Sequence, residues 1–223
     1  MVCRLRLSCL LLLLMSGLLL LARQPAHAGE EVDLALVLAV DVSESMDTEE
    51  QELQRQGFIE AFRSPLVHDA IRDGMLGRVA VTYMEWAGLH SRNVVVPWTI
   101  IEDPEGAAAF ADRLSGSAIS RARWTSISGA IDFSLDLLTK SKVDAVRQVI
   151  DISGDGGNNQ GRIVTDARDQ AVAKGITING LPIMLKRPRS IWCEFTLLSA
   201  LLLCPRCLDI RDLTDFDLAF QLL

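Results

Sequence analysis

The sequence predicts an α/β fold, a doubly wound and mainly parallel sheet with helices on both faces. Three observations lead there. Residues 32–40 are an apolar run broken only by Asp33, as a central strand covered on both sides requires. Further strand-like runs at 78–86, 146–152 and 176–183 are separated by stretches of helical periodicity. The runs at 32–40 and 146–152 each end in a polar loop rich in Asp, Ser and Gly, at the edge where open α/β sheets carry their sites.

After the first strand, Asp47 and Glu50 have the spacing of a capping box, opening a helix whose apolar side is Leu53, Phe58, Ile59 and Phe62. Ser64-Pro65 ends or breaks that helix. Residues 78–86 and 93–98 flank Gly88 and read as a hairpin. Pro104 opens a helix with Ala107, Phe110 and Leu114 on its apolar side, and 115–123 is a loop. Ile127, Ala130, Ile131, Ser134, Leu135 and Leu138 keep helical spacing ahead of the strand at 146–152. The glycine-rich stretch 153–159 predicts a sharp loop with unusual backbone angles. Ile163, Val164, Ala167 and Ala171 mark a helix stopped by Gly175, and 176–183 is the next strand.

Residues 1–28 have the form of a secretory signal: basic Arg4 and Arg6, an apolar core at 7–21, and Ala26-His27-Ala28 as a cleavage site. The core falls short of the roughly 20 residues needed to span a bilayer, so no stable membrane span is expected after signal cleavage. The expected product is exported, to the periplasm or outside the cell. Of 22 basic and 29 acidic side chains, the first 28 residues hold three Arg and no acid, leaving 19 and 29, net −10. That sign argues against nucleic acid or an anionic membrane as partner and favours a cation or a basic face. The remaining 195 residues suffice for one core. Cys193, Cys204 and Cys207 are an odd number for an oxidising compartment. Cys204-Pro205-Arg206-Cys207 has no second such pair, and His68 and His90 are far away, so one disulfide or incidental thiols are expected rather than zinc.

Asp41-Val42-Ser43-Glu44-Ser45 offers one carboxylate and two hydroxyls at the end of the first strand. Thr125 stands at the start of a helix, and Asp155 lies among glycines after the strand at 146–152. Taken singly, these read as helix caps and a turn residue. Taken together they are hard oxygen donors suited to Mg²⁺ or Mn²⁺ rather than zinc or copper.

In that combination and order, the segments Asp41 to Ser45, Thr125-Ser126-Ile127-Ser128-Gly129-Ala130-Ile131 and Asp151-Ile152-Ser153-Gly154-Asp155-Gly156 resemble the von Willebrand factor type A (vWA) domain and its metal-ion-dependent adhesion site (MIDAS). The resemblance covers residues 32–183. Residues 79–88, 94–98 and 154–161 are similar to an exported bacterial family of such domains of uncharacterised function. The resemblance implies a vWA/Rossmann-like fold over 29–185 and a Mg²⁺ or Mn²⁺ ion. It implies direct ligands Ser43 and Ser45, Thr125 binding directly or through water, and Asp41 and Asp155 holding coordinated water. Glu44 would point away. The implied partner is a protein presenting Asp or Glu to the ion. Arg123-Trp124, ahead of Thr125, departs from the small residues many relatives carry, and the bulky Trp124 is expected either to pack over the site or to serve as a contact surface. Residues 186–223 do not match the pattern, and the expectation is an atypical tail from an altered reading frame or a truncation, leaving the fold incomplete at its C-terminus.

A binding module, not an enzyme, is therefore expected. An aspartate-based phosphatase with Asp41 as nucleophile needs a carboxylate where Ser43 stands, and G-x-S-x-G, G-x-x-x-x-G-K-[ST] and G-x-G-x-x-G are all missing. The alternatives are a metal-assisted hydrolase or phosphatase, and a vWA-like structural protein with no functional metal.

Overall fold

Successive side chains of an extended strand point to opposite faces, so a strand that is apolar at nearly every position needs cover on both. The computed structural model describes residues 29–183 and gives residues 32–40 that environment: all are buried but Asp33, which is half-buried. The elements in chain order are β1 (Glu30–Asp41), α1 (Thr48–Arg63), α2 (Pro65–Arg72), β2 (Val79–Trp86), β3 (Arg92–Ile101), α3 (Pro104–Ser115), α4 (Ile127–Lys140), β4 (Val143–Gly154), α5 (Val164–Ala173) and β5 (Thr177–Pro182). The sheet order is β3-β2-β1-β4-β5. Only the β2–β3 pairing is antiparallel. The doubly wound, mainly parallel α/β sheet expected from the sequence is thus present. The expected leader at 1–28, the segment 186–223 and Cys193, Cys204 and Cys207 lie outside the described residues.

Leu34, Leu36, Leu38 and Val40 meet Phe58, Phe62, Val67, Ile71, Phe110 and Leu114 from α1, α2 and α3 on one face. Ala35, Val37 and Ala39 meet Ala130, Ile131, Leu135, Leu138, Ala167 and Ala171 from α4 and α5 on the other. The polar interruption Asp33 is accounted for by its carboxylate, which accepts the backbone N–H groups of Leu76 and Arg78.

The chain leaves β1 for β2 and β3 on one side, then crosses to β4 on the other. The strand order therefore reverses between β1 and β4, and a crevice at their carboxyl ends is the general ligand position of such sheets. Val40 pairs with Ser153 in register, which brings the loops after Asp41 and Gly154 together.

Several local expectations change. Leu53 is 59% exposed. The face that α1 buries includes Gln51, Gln54 and Arg55 besides Phe58, Ile59 and Phe62. Gln54 and Arg55 have partners distant in sequence, which periodicity of apolar residues does not reveal. Gln54 donates to Ser153 Oγ at 2.5 Å. Arg55 pairs with Glu85 in the interior and donates to the carbonyls of Leu114 and Ser117, while Glu85 accepts the N–H of Ser120. Ser64-Pro65 ends the first helix as expected and also opens a second one: Ser64 caps α1 and starts α2 with Pro65 in its first turn. The Asp47–Glu50 capping box forms, at 2.9 and 2.8 Å, and Glu50 is buried. In the glycine loop, the positive φ falls on Gly161 (+91°), not on Gly154, Gly156 or Gly157.

Candidate metal site

The site is built from three loops at the crevice between β1 and β4. β1 ends at Asp41, which is wholly buried and accepts the N–H of Ser43 on Oδ1 at 2.7 Å. That bond folds the chain back, so the Ser43 and Ser45 hydroxyls approach to 2.8 Å. Ser45 donates to Oδ1 of Asp155 at 2.7 Å. A hydroxyl has one proton, so the Ser43–Ser45 contact is a donation from Ser43, and the chain runs Ser43 to Ser45 to Asp155.

Thr125 is 3% exposed. The helix cap is its neighbour Ser126, whose Oγ accepts the N–H of Gly129, so the capping role open to Thr125 in the sequence belongs to Ser126. A methyl group built on Gly156 would lie 3.7 Å from Ser45 Oγ and 3.8 Å from Thr125 Oγ1, so both hydroxyls border the space beside Gly156. The five residues singled out in the sequence therefore come to one rim of the sheet. The segment before Thr125 is tied to the first loop by a parallel bridge between Ser43 and Ala122. Glu44, between the two serines, is exposed and faces Arg123 at 3.8 Å, as expected of a side chain pointing away.

The electrostatics of Asp41 bear on whether a cation fits. Burial pushes its carboxyl up to about 7, the charge of Asp155 adds to the rise, and the N–H of Ser43 opposes it. Its Oδ2 is buried with no hydrogen-bond partner among the described residues. A buried carboxylate oxygen without a donor is costly unless protonated or paired with positive charge. Two carboxylates and three hydroxyls in one crevice, with that oxygen unpartnered, fit a hard divalent ion. Among the described residues, no three His, Cys, Asp or Glu side chains cluster as metal ligands, so the hydroxyls are essential to any such set.

Two further features stand at the rim. Trp124 is 56% exposed and adopts a positive φ of 72°. It stands out from the site with Arg123 5.9 Å from its ring centroid, instead of packing over the ligands. The amides Asn158, Asn159 and Gln160 accept backbone N–H groups from Ser128, Thr125 and Leu89. The only hint of them in the sequence is three consecutive amides after a glycine turn.

Sheet order, double cover and the crevice between β1 and β4 define a vWA/Rossmann-like α/β domain. The chain belongs to the family described as "Protein of unknown function (DUF1194)", whose model matches residues 31–200 and so runs into the first part of the 186–223 segment. No curated protein matches it in sequence. Among solved structures, it is similar to proximal thread matrix protein 1 from the mussel byssus, with a zinc-occupied MIDAS motif. The TM-score is 0.54 at 13% identity, over 68% of this chain and 38% of that one. This chain thus spans well under half of the mussel protein. An aerotolerance-related membrane protein from Bacteroides fragilis gives a TM-score of 0.46 at 21% identity, over 72% of this chain and 78% of that one. The von Willebrand factor type A structure from Catenulispora acidiphila gives 0.46 at 13%, over 67% and 33%. Among the described residues, no helix is long and apolar enough to cross a membrane.

Proposed function

We propose that this protein is an exported vWA-type binding module. In this reading Asp41, Ser43, Ser45, Thr125 and Asp155 hold Mg²⁺ or Mn²⁺, residues 1–28 are a signal, and residues 29–185 form the binding domain. The observation that carries the proposal is the hydroxyl chain from Ser43 through Ser45 to Asp155, set in the same crevice as the unpartnered, buried Oδ2 of Asp41. The mussel protein, which has this fold at 13% identity, carries a zinc-occupied MIDAS motif, which is in keeping with a divalent ion in this reading.

Neutral hydroxyl ligands leave a divalent ion only partly neutralised, and Mg²⁺ keeps several coordination positions for water or an incoming oxygen. A bound ion supplies an open position at which an Asp or Glu of a partner protein completes the shell. The protein's own residues fix the hydroxyls, shield Asp41 from bulk water and leave Ser45 and the Gly156 edge open to an approaching chain. The Ser45 hydroxyl and the Asp155 carboxylate, 2.7 Å apart, serve in this reading as one ligand set, and the module is read as a receptor rather than a catalyst.

Thermal unfolding with and without Mg²⁺ tests the proposal. A ligand at a hundred times its Kd stabilises by about 2.7 kcal/mol, or about 5–11 °C for a domain of this size. Wild type should show such a shift and Asp41→Ala should not. Equal melting of folded wild type with and without Mg²⁺ and Mn²⁺ would remove the basis of the proposal.

A further inference from the structure

Thr125 is the ligand candidate least tied to the others by its own side chain, yet its backbone is held on both sides by one short segment. Its N–H donates to Oδ1 of Asn159 at 2.8 Å. Its carbonyl accepts the backbone N–H groups of Asn159 at 2.9 Å and Gln160 at 3.2 Å. The Asn159 side chain thus completes a two-way pairing that a β-ladder would make with main-chain groups alone. On either side of it, Asn158 Oδ1 accepts the N–H of Ser128 in the first turn of α4 at 3.2 Å, and Gln160 Oε1 accepts the N–H of Leu89 at 2.6 Å.

The segment's shape follows from Gly161. Its φ of +91° is one an L side chain rarely adopts. A methyl there would also lie 2.7 Å from the hydroxyls of both Ser126 and Ser128. The same loop begins with Asp155, which accepts from Ser45. One short stretch of chain therefore connects the Asp155 ligand to the Thr125 ligand.

We infer that Asn159 is a positioning residue for the metal site: its side-chain oxygen sets the Thr125 hydroxyl relative to Asp155. This rests on the metal reading above. Partners that orient ligands typically contribute ten- to a hundredfold to metal affinity. Asn159 is exposed, so its replacement can be made without opening the core.

The test compares the full-chain wild type, Asn159→Leu and Asn159→Asp. Mn²⁺ affinity is followed by electron paramagnetic resonance, and Thr125 amide exchange is measured in metal-free protein. Leucine removes the acceptor, and aspartate restores it. Asn159→Leu should bind Mn²⁺ at least about tenfold more weakly, and its Thr125 amide should exchange faster. Asn159→Asp should recover the protection of that amide and at least wild-type affinity. Wild-type affinity in Asn159→Leu, or loss in Asn159→Asp equal to that in Asn159→Leu, overturns the inference while leaving the metal site standing. A wild type that binds no Mn²⁺ overturns the metal reading and the inference with it.

Discussion

Replacing Gly154 by alanine probes the link between the end of β4 and Asp41. A methyl carbon at this position would sit 2.8 Å from Asp41 Oδ2, 3.2 Å from its Cβ and 3.4 Å from its Cγ. Gly154 does not have a positive φ, so the conflict is one of space rather than of backbone conformation. Asp41 has little room to yield, because it is fully buried and held by the Ser43 N–H at 2.7 Å. Overpacking of this kind costs about 1–3 kcal/mol, and each kcal/mol moves the Tm of a domain of this size by about 2–4 °C. Gly154→Ala should therefore melt about 2–12 °C below wild type without metal and also lose the Mg²⁺-dependent rise. Gly156→Ala is the control: its methyl would meet nothing closer than 3.7 Å, and its metal-free Tm should match wild type. Differential scanning calorimetry of both variants, each with and without Mg²⁺, reads all four values. Wild-type melting and a wild-type Mg²⁺ shift in Gly154→Ala would refute the contact as the support of the Asp41 carboxylate.

Burial raises the carboxyls of both Asp41 and Asp151 from 3.8 to about 7. Between those limits the folded state binds more protons than the unfolded state, so stability falls as pH rises. Metal-free protein should lose Tm from pH 5 to pH 8, Asp41→Asn should remove the Asp41 share, and Mg²⁺ affinity should climb as pH passes 7. Flat or rising metal-free melting over that range would contradict the burial of these groups as ionisable carboxyls. Trp124→Gly relieves a left-handed backbone, a conformation that costs an L-residue about 1–2 kcal/mol, while adding unfolded-state entropy of about 0.5–1 kcal/mol. Its Tm should stay within a few degrees of wild type and its Mg²⁺ shift should be unchanged. A large loss of either would mean that Trp124 packs over the site rather than standing at its rim.

The sheet was legible because Val32, Leu34 to Val40 and the later apolar runs have nowhere to go but between two helical layers. The capping box at Asp47 and Glu50 was readable for a similarly local reason, since both hydrogen bonds close within four residues. The polar face of α1 was not. Gln54 and Arg55 are buried by partners at Ser153 and Glu85, distant in sequence, so their pattern looks solvated until the fold closes around them. Asp41, Ser43, Ser45, Thr125 and Asp155 could be singled out as a set because their residue types and order match a known arrangement. The residues that hold them could not. The Asn159–Thr125 pairing spans 34 positions and leaves no periodic trace. The glycine loop misled for a physical reason as well: Gly154 is needed for clearance from Asp41, whereas the unusual φ sits at Gly161.

Direct titration of metal-free protein with Mn²⁺, read by electron paramagnetic resonance of the free ion, asks whether one hard cation is held where the two serines, the threonine and the two aspartates meet. One ion per chain should bind to wild type, Mg²⁺ should displace it, and Ser43→Ala and Asp155→Ala should each abolish binding while remaining folded. Wild type that leaves all the Mn²⁺ free, or variants that retain it unchanged, would show that these side chains meet for structural reasons alone.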